Sequence, residues 1–360
     1  MINNPDILLD KLYLLIDRIV QNTNLSKEKI ASNVKKLSDI FNQTEGKTTD
    51  YMQNDVLRIA YFVYFYPINV YKCLHLINFY RDFFFGKKVF FDYGAGPLTF
   101  YSACALMQLE GERFFAYDNN QDVLYLGKPV IKNISLTLYN NLILSFPEQK
   151  VNAIFLGNVL SELEEIKIYQ LLGKILKIID MKDNIILILE PGTKKGFKNI
   201  NKAKQFLMTR GFNFLNACPT ENCPVAENDW CHENLFFPRS PLIEYIEQKT
   251  GLNNKFINFT YGLFSTNVKK ISVFDDNTFK VVGNLFNRKG EYAVYLCGKM
   301  GLQLFSILKK HLNEANIDFK NLHRGDIVNI KNFNKISNFY RLDTKSEVKI
   351  IKKFGGSNFS

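Results

Sequence analysis

Apolar positions recur at helical spacing up to about residue 85, and then give way to short unbroken apolar runs. Leu8, Leu9, Leu12, Leu15, Ile16 and Ile19 form one stripe, which predicts an amphipathic helix over Asp6–Val20. Ser26 with Glu28 opens a second helix through Ile30, Val34 and Leu37. Thr49 or Asp50 caps a third, which Pro67 ends or kinks. The apolar run Ile59–Tyr66 lies between Arg58 and Pro67. It is far short of the roughly 18 residues of a membrane span, so it reads as a buried helix.

From Val89 onward, strand and helix patterns alternate. Val89–Asp92, Arg113–Asp118, Val151–Leu156 and Ile185–Glu190 read as strands, with a further strand within Leu136–Phe146. Helical stretches lie between them. One runs from Ser161 to about Ile179, with Ser161 and Glu164 as a capping box, and another spans Ile200–Thr209. This alternation predicts a doubly wound, mostly parallel sheet. Past Gly211 the periodicity fades. Short β runs follow at Phe256–Phe264, Phe279–Leu285 and Tyr292–Cys297, with a hairpin turn at Asn287–Gly290. Leu302–Asn313 reads as a helix, and Ile327–Ile330 and Val348–Lys353 as strands of a small basic tail. The pattern divides the chain into a helical region (1–85), a Rossmann-like domain (86–216), a cysteine-bearing β module (217–300) and a basic helix and β tail (301–360).

Strand ends carry the candidate chemistry, because ligands of such sheets sit beyond the carboxyl ends of the strands. The stretch Asp92-Tyr93-Gly94-Ala95-Gly96-Pro97 is an acid followed by a two-glycine turn. Asp118 follows 22 residues after Gly96, at the end of the second strand. An acid at that offset accepts hydrogen bonds from ribose hydroxyls. The alternative is a structural Asp118 capping the next helix. A dinucleotide fingerprint wants a third glycine, where this chain has Leu98 and Thr99. That argues against NAD and agrees with S-adenosylmethionine (SAM), which has no phosphates. Asn158 and Glu190 end two further strands on the same edge; Asn158 joins the SAM candidates, and it and Glu162 read equally as ligand contacts or as turn and helix-start residues.

A second constellation is Cys218-Pro…Cys223-Pro…Trp230-Cys231-His232. Three thiols within fourteen residues of aperiodic chain point to a metal, either tetrahedral zinc or an iron–sulfur cluster. The fourth ligand is His232 or Cys297. Cys73 and Cys104 sit in helical apolar contexts and read as core. There is no Ser/His/Asp arrangement, P-loop or HExxH motif, and no catalytic residue is assigned.

Charge and composition then narrow the setting. Hydrophobic residues make up 46% of 360, enough for a sizeable core, and the net charge is +11. Lysines concentrate in 194–204, 269–280 and 345–353. An excess of this size suits an acidic partner such as RNA, held through its phosphates. Six cysteines without a secretory pattern point to a reducing interior, with free thiols or metal ligands rather than disulfides.

These residues together resemble the methyltransferase-like proteins of the small ribosomal subunit, which are mitochondrial assembly factors with bacterial relatives. Asp92–Pro97, Val159-Leu160-Ser161-Glu162-Leu163 and Leu189-Glu190-Pro191-Gly192-Thr193 carry the resemblance. So do the cysteine block, Arg288-Lys289-Gly290 through Cys297 to Gly301, and Arg324-Gly325-Asp326. It implies a SAM-dependent-methyltransferase Rossmann-like sheet with a helical N-terminal region and a metal-bearing C-terminal β module. It implies SAM at Asp92, Gly94, Gly96, Asp118 and Asn158. It also implies a [4Fe-4S] cluster on Cys218, Cys223, Cys231 and Cys297, which favours Cys297 over His232. The chain departs from the family at Leu98, where a glycine is usual, and at Arg324, where a tryptophan is usual. Leu98 argues against turnover. The expected protein is a cytoplasmic monomer without a membrane anchor that binds or methylates small-subunit ribosomal RNA during assembly. The alternatives are a catalytically inactive assembly factor and a small-molecule methyltransferase with a structural zinc.

Overall fold

The computed structural model describes residues 4–42, 51–216, 218–219, 223–225, 229–267 and 275–355. The expected caps Thr49 and Asp50, and Lys269 at the start of one lysine stretch, lie outside them. The chain divides into two compact units, the first comprising 1–190, 235–257 and 265–267, and the second the remainder.

The first unit begins with helices α1 (Pro5–Gln21), α2 (Lys27–Asn42), α3 (Asp55–Phe79) and the short α4 (Arg81–Phe84). Asn54 caps α3 by accepting the Val56 and Leu57 N–H groups, both at 3.1 Å. Pro67 neither ends nor breaks this helix. Almost every side chain from Phe62 to Phe79 is buried, with α1, α2 and α5 packed around the segment. That burial outweighs the one backbone hydrogen bond proline removes.

Then come β1 (Val89–Tyr93), α5 (Thr99–Leu106), β2 (Arg113–Tyr117), α6 (Gln121–Ile134), α7 (Leu136–Asn140) and β3 (Leu142–Ile143). The series ends with β4 (Ala153–Gly157), α8 (Glu165–Ile178) and β5 (Ile185–Pro191). The strands lie parallel in the order β3-β2-β1-β4-β5. Phe90, Phe91, Ile154, Phe155 and Ile185–Leu189 are at most 2% exposed, because helices cover both faces of such a sheet. The order reverses between β1 and β4, which opens a crevice at their carboxyl ends. The capping box expected at Ser161 does not form. Residues Leu160–Glu162 make a single 3-10 turn and α8 begins at Glu165, because Glu190 takes the donors of that turn.

The second unit holds α9 (Lys194–Met208), β6 (Asn213–Phe214), the start of β7 (Glu233–Phe236) and most of β8 (Phe256–Ser265). Helix α10 (Pro241–Thr250) belongs to the first unit, packed on α2. The second unit continues as β9 (Thr278–Val281), β10 (Phe286–Arg288), β11 (Glu291–Gly298), β12 (Gly301–Leu308), β13 (Ile327–Ile336) and β14 (Phe339–Lys352). The helix expected over Leu302–Asn313 is strand β12 followed by one 3-10 turn at Lys309–His311. Leu302, Phe305, Leu308 and Leu312 have helical spacing, but pairing with β11 and β14 decides the conformation. The core of this sheet includes Phe279, Val281, Val294, Leu296, Phe305, Ile307, Val328 and Leu342.

Candidate functional site

The first unit gathers Asp92, Gly94, Gly96, Asp118 and Asn158 at the carboxyl edge of its sheet. Gly94 (φ +70°) and Gly96 (φ +52°) adopt conformations that side chains disfavour. The Gly94 and Ala95 N–H groups donate to the Tyr117 carbonyl at 2.8 and 3.0 Å, which folds the loop over the end of β2. Gly96 donates to Asp118 Oδ2 at 2.9 Å, while Asp118 Oδ1 accepts the Asn120 N–H at 3.0 Å. Asp118 therefore shapes the loop. The cap of α6 is Asn120, not Asp118, and it accepts the Val123 N–H at 3.2 Å.

Leu98 is fully buried, so its side chain packs into the core. Its backbone (φ +60°) takes the left-handed form a glycine would supply, at a cost of about 1–2 kcal/mol. The close approach needed between loop and helix comes instead from Gly127 of α6, where a Cβ would lie 2.2 Å from the Pro97 carbonyl oxygen. The sequence alone did not single out Gly127.

Asp92 is 3% exposed and neither carboxylate oxygen makes a well-formed hydrogen bond. Burial holds its carboxyl well above the usual range, and the Asp118 charge adds to the effect against the opposing Phe100 N–H. Asn158 (φ +59°) donates its N–H to the Leu189 carbonyl at 2.7 Å, and its buried Oδ1 has no partner. A buried polar atom without a partner is costly, and a ligand is one way to satisfy it. Tyr93 and Tyr117 stack at 5.3 Å with Phe146 edge-on to both, forming an aromatic wall beside the loop. Tyr61 of α3 reaches the same edge, since the charges of Glu162 and Asp118 join burial in raising its phenol.

Glu190, the other strand-end acid, is fully buried and clamps the loop after β4. Its carboxylate accepts the N–H groups of Leu160 (2.8 Å) and Ser161 (3.0 Å) and the Ser161 hydroxyl. Burial raises its carboxyl to about 7, against the lowering effect of those donors.

In the second unit Cys218, Cys223 and Cys231 lie in the loop between β6 and β7, and Cys297 near the end of β11. Burial pushes the Cys297 thiol up to about 12, and Cys218, Cys231 and Cys223 add their repulsion. Cys231 is likewise raised to about 12 by burial, with Cys223 and Cys218 contributing. The four thiols thus lie within one another's field. Among the described residues, no group of three or more His, Cys, Asp or Glu is arranged to hold a metal ion. Lys280, opposite Cys297 in the β9–β11 register, pairs with Glu233, and both are buried. Trp230 Nε1 donates to the Gly192 carbonyl at 2.9 Å, and Arg324 donates to the His232 carbonyl at 3.0 Å. Those bonds anchor the loop. His232 Nδ1 is buried without a partner.

The strand order and the glycine loop define an α/β methyltransferase-like Rossmann fold with a helical N-terminal region. Residues 69–327 match the family model described as mitochondrial small ribosomal subunit Rsm22, and the chain belongs to that family. No curated protein matches the sequence. Among solved structures, similarity extends to a candidate RNA methyltransferase from Pyrococcus horikoshii (10% identity, 56% of this chain and 86% of that one, TM-score 0.37). It also extends to a SAM-dependent methyltransferase from Archaeoglobus fulgidus (14% identity, 54% and 93%, TM-score 0.33).

Proposed function

We propose that this protein binds SAM at the carboxyl edge of its Rossmann sheet and acts on or accompanies small-subunit ribosomal RNA during ribosome assembly. The observation that carries the SAM reading is Asp92: a buried carboxyl with no well-formed hydrogen bond, beside a loop turned by two left-handed glycines. Asp118, which braces the glycine loop through the Gly96 N–H, would be the acid that accepts the ribose hydroxyls. Asn158 offers its free amide oxygen, and the Tyr93–Tyr117 wall gives an apolar surface to the adenine side. Methyl transfer needs mainly alignment of donor and acceptor. The ribosomal partner rests on family membership and on the net charge of +11.

A catalytically inactive assembly factor is the second reading, and the loop after β4 favours it. Ser161, the one hydroxyl of Gly157–Leu163, is committed to Glu190. A small-molecule methyltransferase with a structural zinc fits the basic balance less well.

Cys218, Cys223, Cys231 and Cys297 are the residues that would hold a [4Fe-4S] cluster. The donor set suits it, because a cubane takes four cysteine thiolates, one on each iron. Such a cluster would fasten the loop to β11. The metal would then lie within residues 217–300, whose strands β9 to β11 share one sheet with β12 to β14 of the basic 301–360. The free cysteines agree with a reducing interior, which both the cytoplasm and the mitochondrial matrix provide. No helix among the described residues is long and apolar enough to cross a membrane.

Calorimetry with SAM and S-adenosylhomocysteine tests the first claim, and absence of binding refutes it. Iron and sulfide analysis of anaerobically purified protein, beside Cys297→Ser, tests the cluster. About four of each, lost in the variant, supports it, whereas one zinc without sulfide supports the alternative metal. Methyl transfer from labelled SAM to immature small subunits separates an enzyme from an inactive factor.

A further inference from the structure

Five strands of the second unit close into a ring. β9 pairs antiparallel with β11 and with β13, and β11 pairs antiparallel with β12. β12 runs parallel to β14, which pairs antiparallel with β13. Numbered from β9, the ring reads 1-2-3-5-4-1 with its third and fifth strands parallel. Between the third and fourth strands the 3-10 turn Ile317–Asn321 inserts Phe319 into the barrel core. This is the connectivity of the OB-fold, whose outer face on strands 2 and 3, flanked by the 1–2 and 4–5 loops, takes oligonucleotides. Fold alone is only an analogy, so the side chains on that face must decide.

Alternation along β11, β12 and β14 sends Val294, Leu296, Phe305, Ile307 and Leu342 inward. Their neighbours Tyr295, Leu304 and Phe339 therefore stand outward in one row, Tyr295 opposite Leu304 and Leu304 opposite Phe339. The next row sets Arg341 opposite Ser306, and β10 adds Phe286 opposite Ala293. Phe286 and Tyr295 are 39% and 41% exposed, with ring centroids 6.1 Å apart, so two large aromatic rings face outward together. Cations lie over the rings: the Arg288 guanidinium is 5.2 Å from the Phe286 centroid and that of Arg341 is 5.1 Å from Phe339. Glu291 holds both arginines in place, at 3.4 and 3.2 Å. Residues 275–355 carry fifteen Lys and Arg against eight Asp and Glu, a net +7 out of the chain's +11.

We infer that the outer face of β11, β12 and β14, with the β9–β11 connection, is a platform for single-stranded RNA. Phe286 and Tyr295 stack on bases, while Arg288 and Arg341 meet phosphates. An unpaired strand is the occupant rather than a duplex, because stacking on a protein ring needs a base whose face is open. The inference rests on the proposed engagement of ribosomal RNA and names the surface that performs it.

The test measures binding of the full chain to a fluorescent mixed-sequence RNA of about 12 nucleotides, within the range one such barrel covers, and to a hairpin duplex. Tyr295→Ala and Phe286→Ala remove exposed rings, and circular dichroism with thermal melting confirms that they fold. Each is expected to weaken single-strand binding about five- to 150-fold, the range for one stacked base, and to leave duplex binding unchanged. Arg288→Ala is expected to reduce the salt slope of binding by about one. Ring variants that bind single-stranded RNA like wild type overturn the platform. If wild type still co-sediments with small ribosomal subunits in that case, the ribosomal reading stands. Wild type that binds neither RNA but does co-sediment overturns the platform in favour of a protein partner. Failure of both RNA binding and co-sedimentation overturns the platform and the ribosomal reading together.

Discussion

Replacing Glu190 with glutamine turns its burial into a measurable pH signature. In the folded protein the Glu190 carboxyl is raised to about 7, against 4.5 for the unperturbed group. Burial is the main cause, and the Leu160 and Ser161 donors only partly oppose it. Between those two pH values the folded chain holds a proton that the unfolded chain has released. Stability from this group is therefore complete below pH 4.5 and is lost as pH rises through 7. At 1.36 kcal/mol per pH unit the loss is about 3 kcal/mol. Glutamine cannot titrate, and its amide sets a donor against one of two backbone N–H groups, which costs about 1–3 kcal/mol. Glu190→Gln should thus be clearly less stable than wild type at pH 5, and the gap should close or reverse by pH 8. Urea unfolding followed by far-UV circular dichroism at pH 5, 6, 7 and 8 measures this. Other titrating groups, Asp92 among them, cancel in the difference between the two proteins. A difference that stays constant within about 0.5 kcal/mol across that range would show that Glu190 is ionised throughout, and would refute the reasoning.

Gly94→Ala places a Cβ 2.5 Å from Val159 Cγ2 in a left-handed conformation, and should cost about 1–3 kcal/mol in thermal unfolding, partly recovered by adding Val159→Ala. Gly325→Ala brings a Cβ to 2.7 Å from Phe354 at φ +92°, with a similar loss expected. Asp118→Asn keeps the side chain's size but removes its charge, and calorimetry should show SAM binding weakened by roughly tenfold or more. Trp230→Phe deletes the bond to the Gly192 carbonyl and should destabilise the protein by about 1 kcal/mol.

The acid and glycines of Asp92–Gly96 were legible because a buried apolar run ending in a two-glycine turn is a local pattern. The placement of Asp118, Asn158 and Glu190 followed from counting strands, since parallel strands all present their carboxyl ends on one edge. What Glu190 does there was not legible. Its partners are 29 and 30 residues away, and Ser161 with Glu164 offered a plausible local cap that the buried carboxylate displaces. Gly127 was missed for a similar reason, since its neighbour Pro97 is distant in sequence. The ring of β strands was the least legible of all. β12 carries a spacing compatible with helix, and nothing local tells β9 that its two partners are β11 and β13.

That ring has a consequence for how the molecule is made. β14, which follows β13 in sequence, is not an edge: it sits between β12 and β13 and joins them. While a ribosome is synthesising this chain, β9 to β13 emerge with the barrel still open and with pairing edges of β12 and β13 exposed. Closure must wait until residue 352 has left the exit tunnel. Late closure through sequence-distant pairs is slow and leaves edges open to wrong partners. A pause or early stop within the codons for Phe339–Lys352 would therefore yield a chain with a finished Rossmann sheet and an aggregation-prone half barrel. The yield of soluble protein should depend more steeply on those fourteen residues than on any comparable stretch of the N-terminal helices.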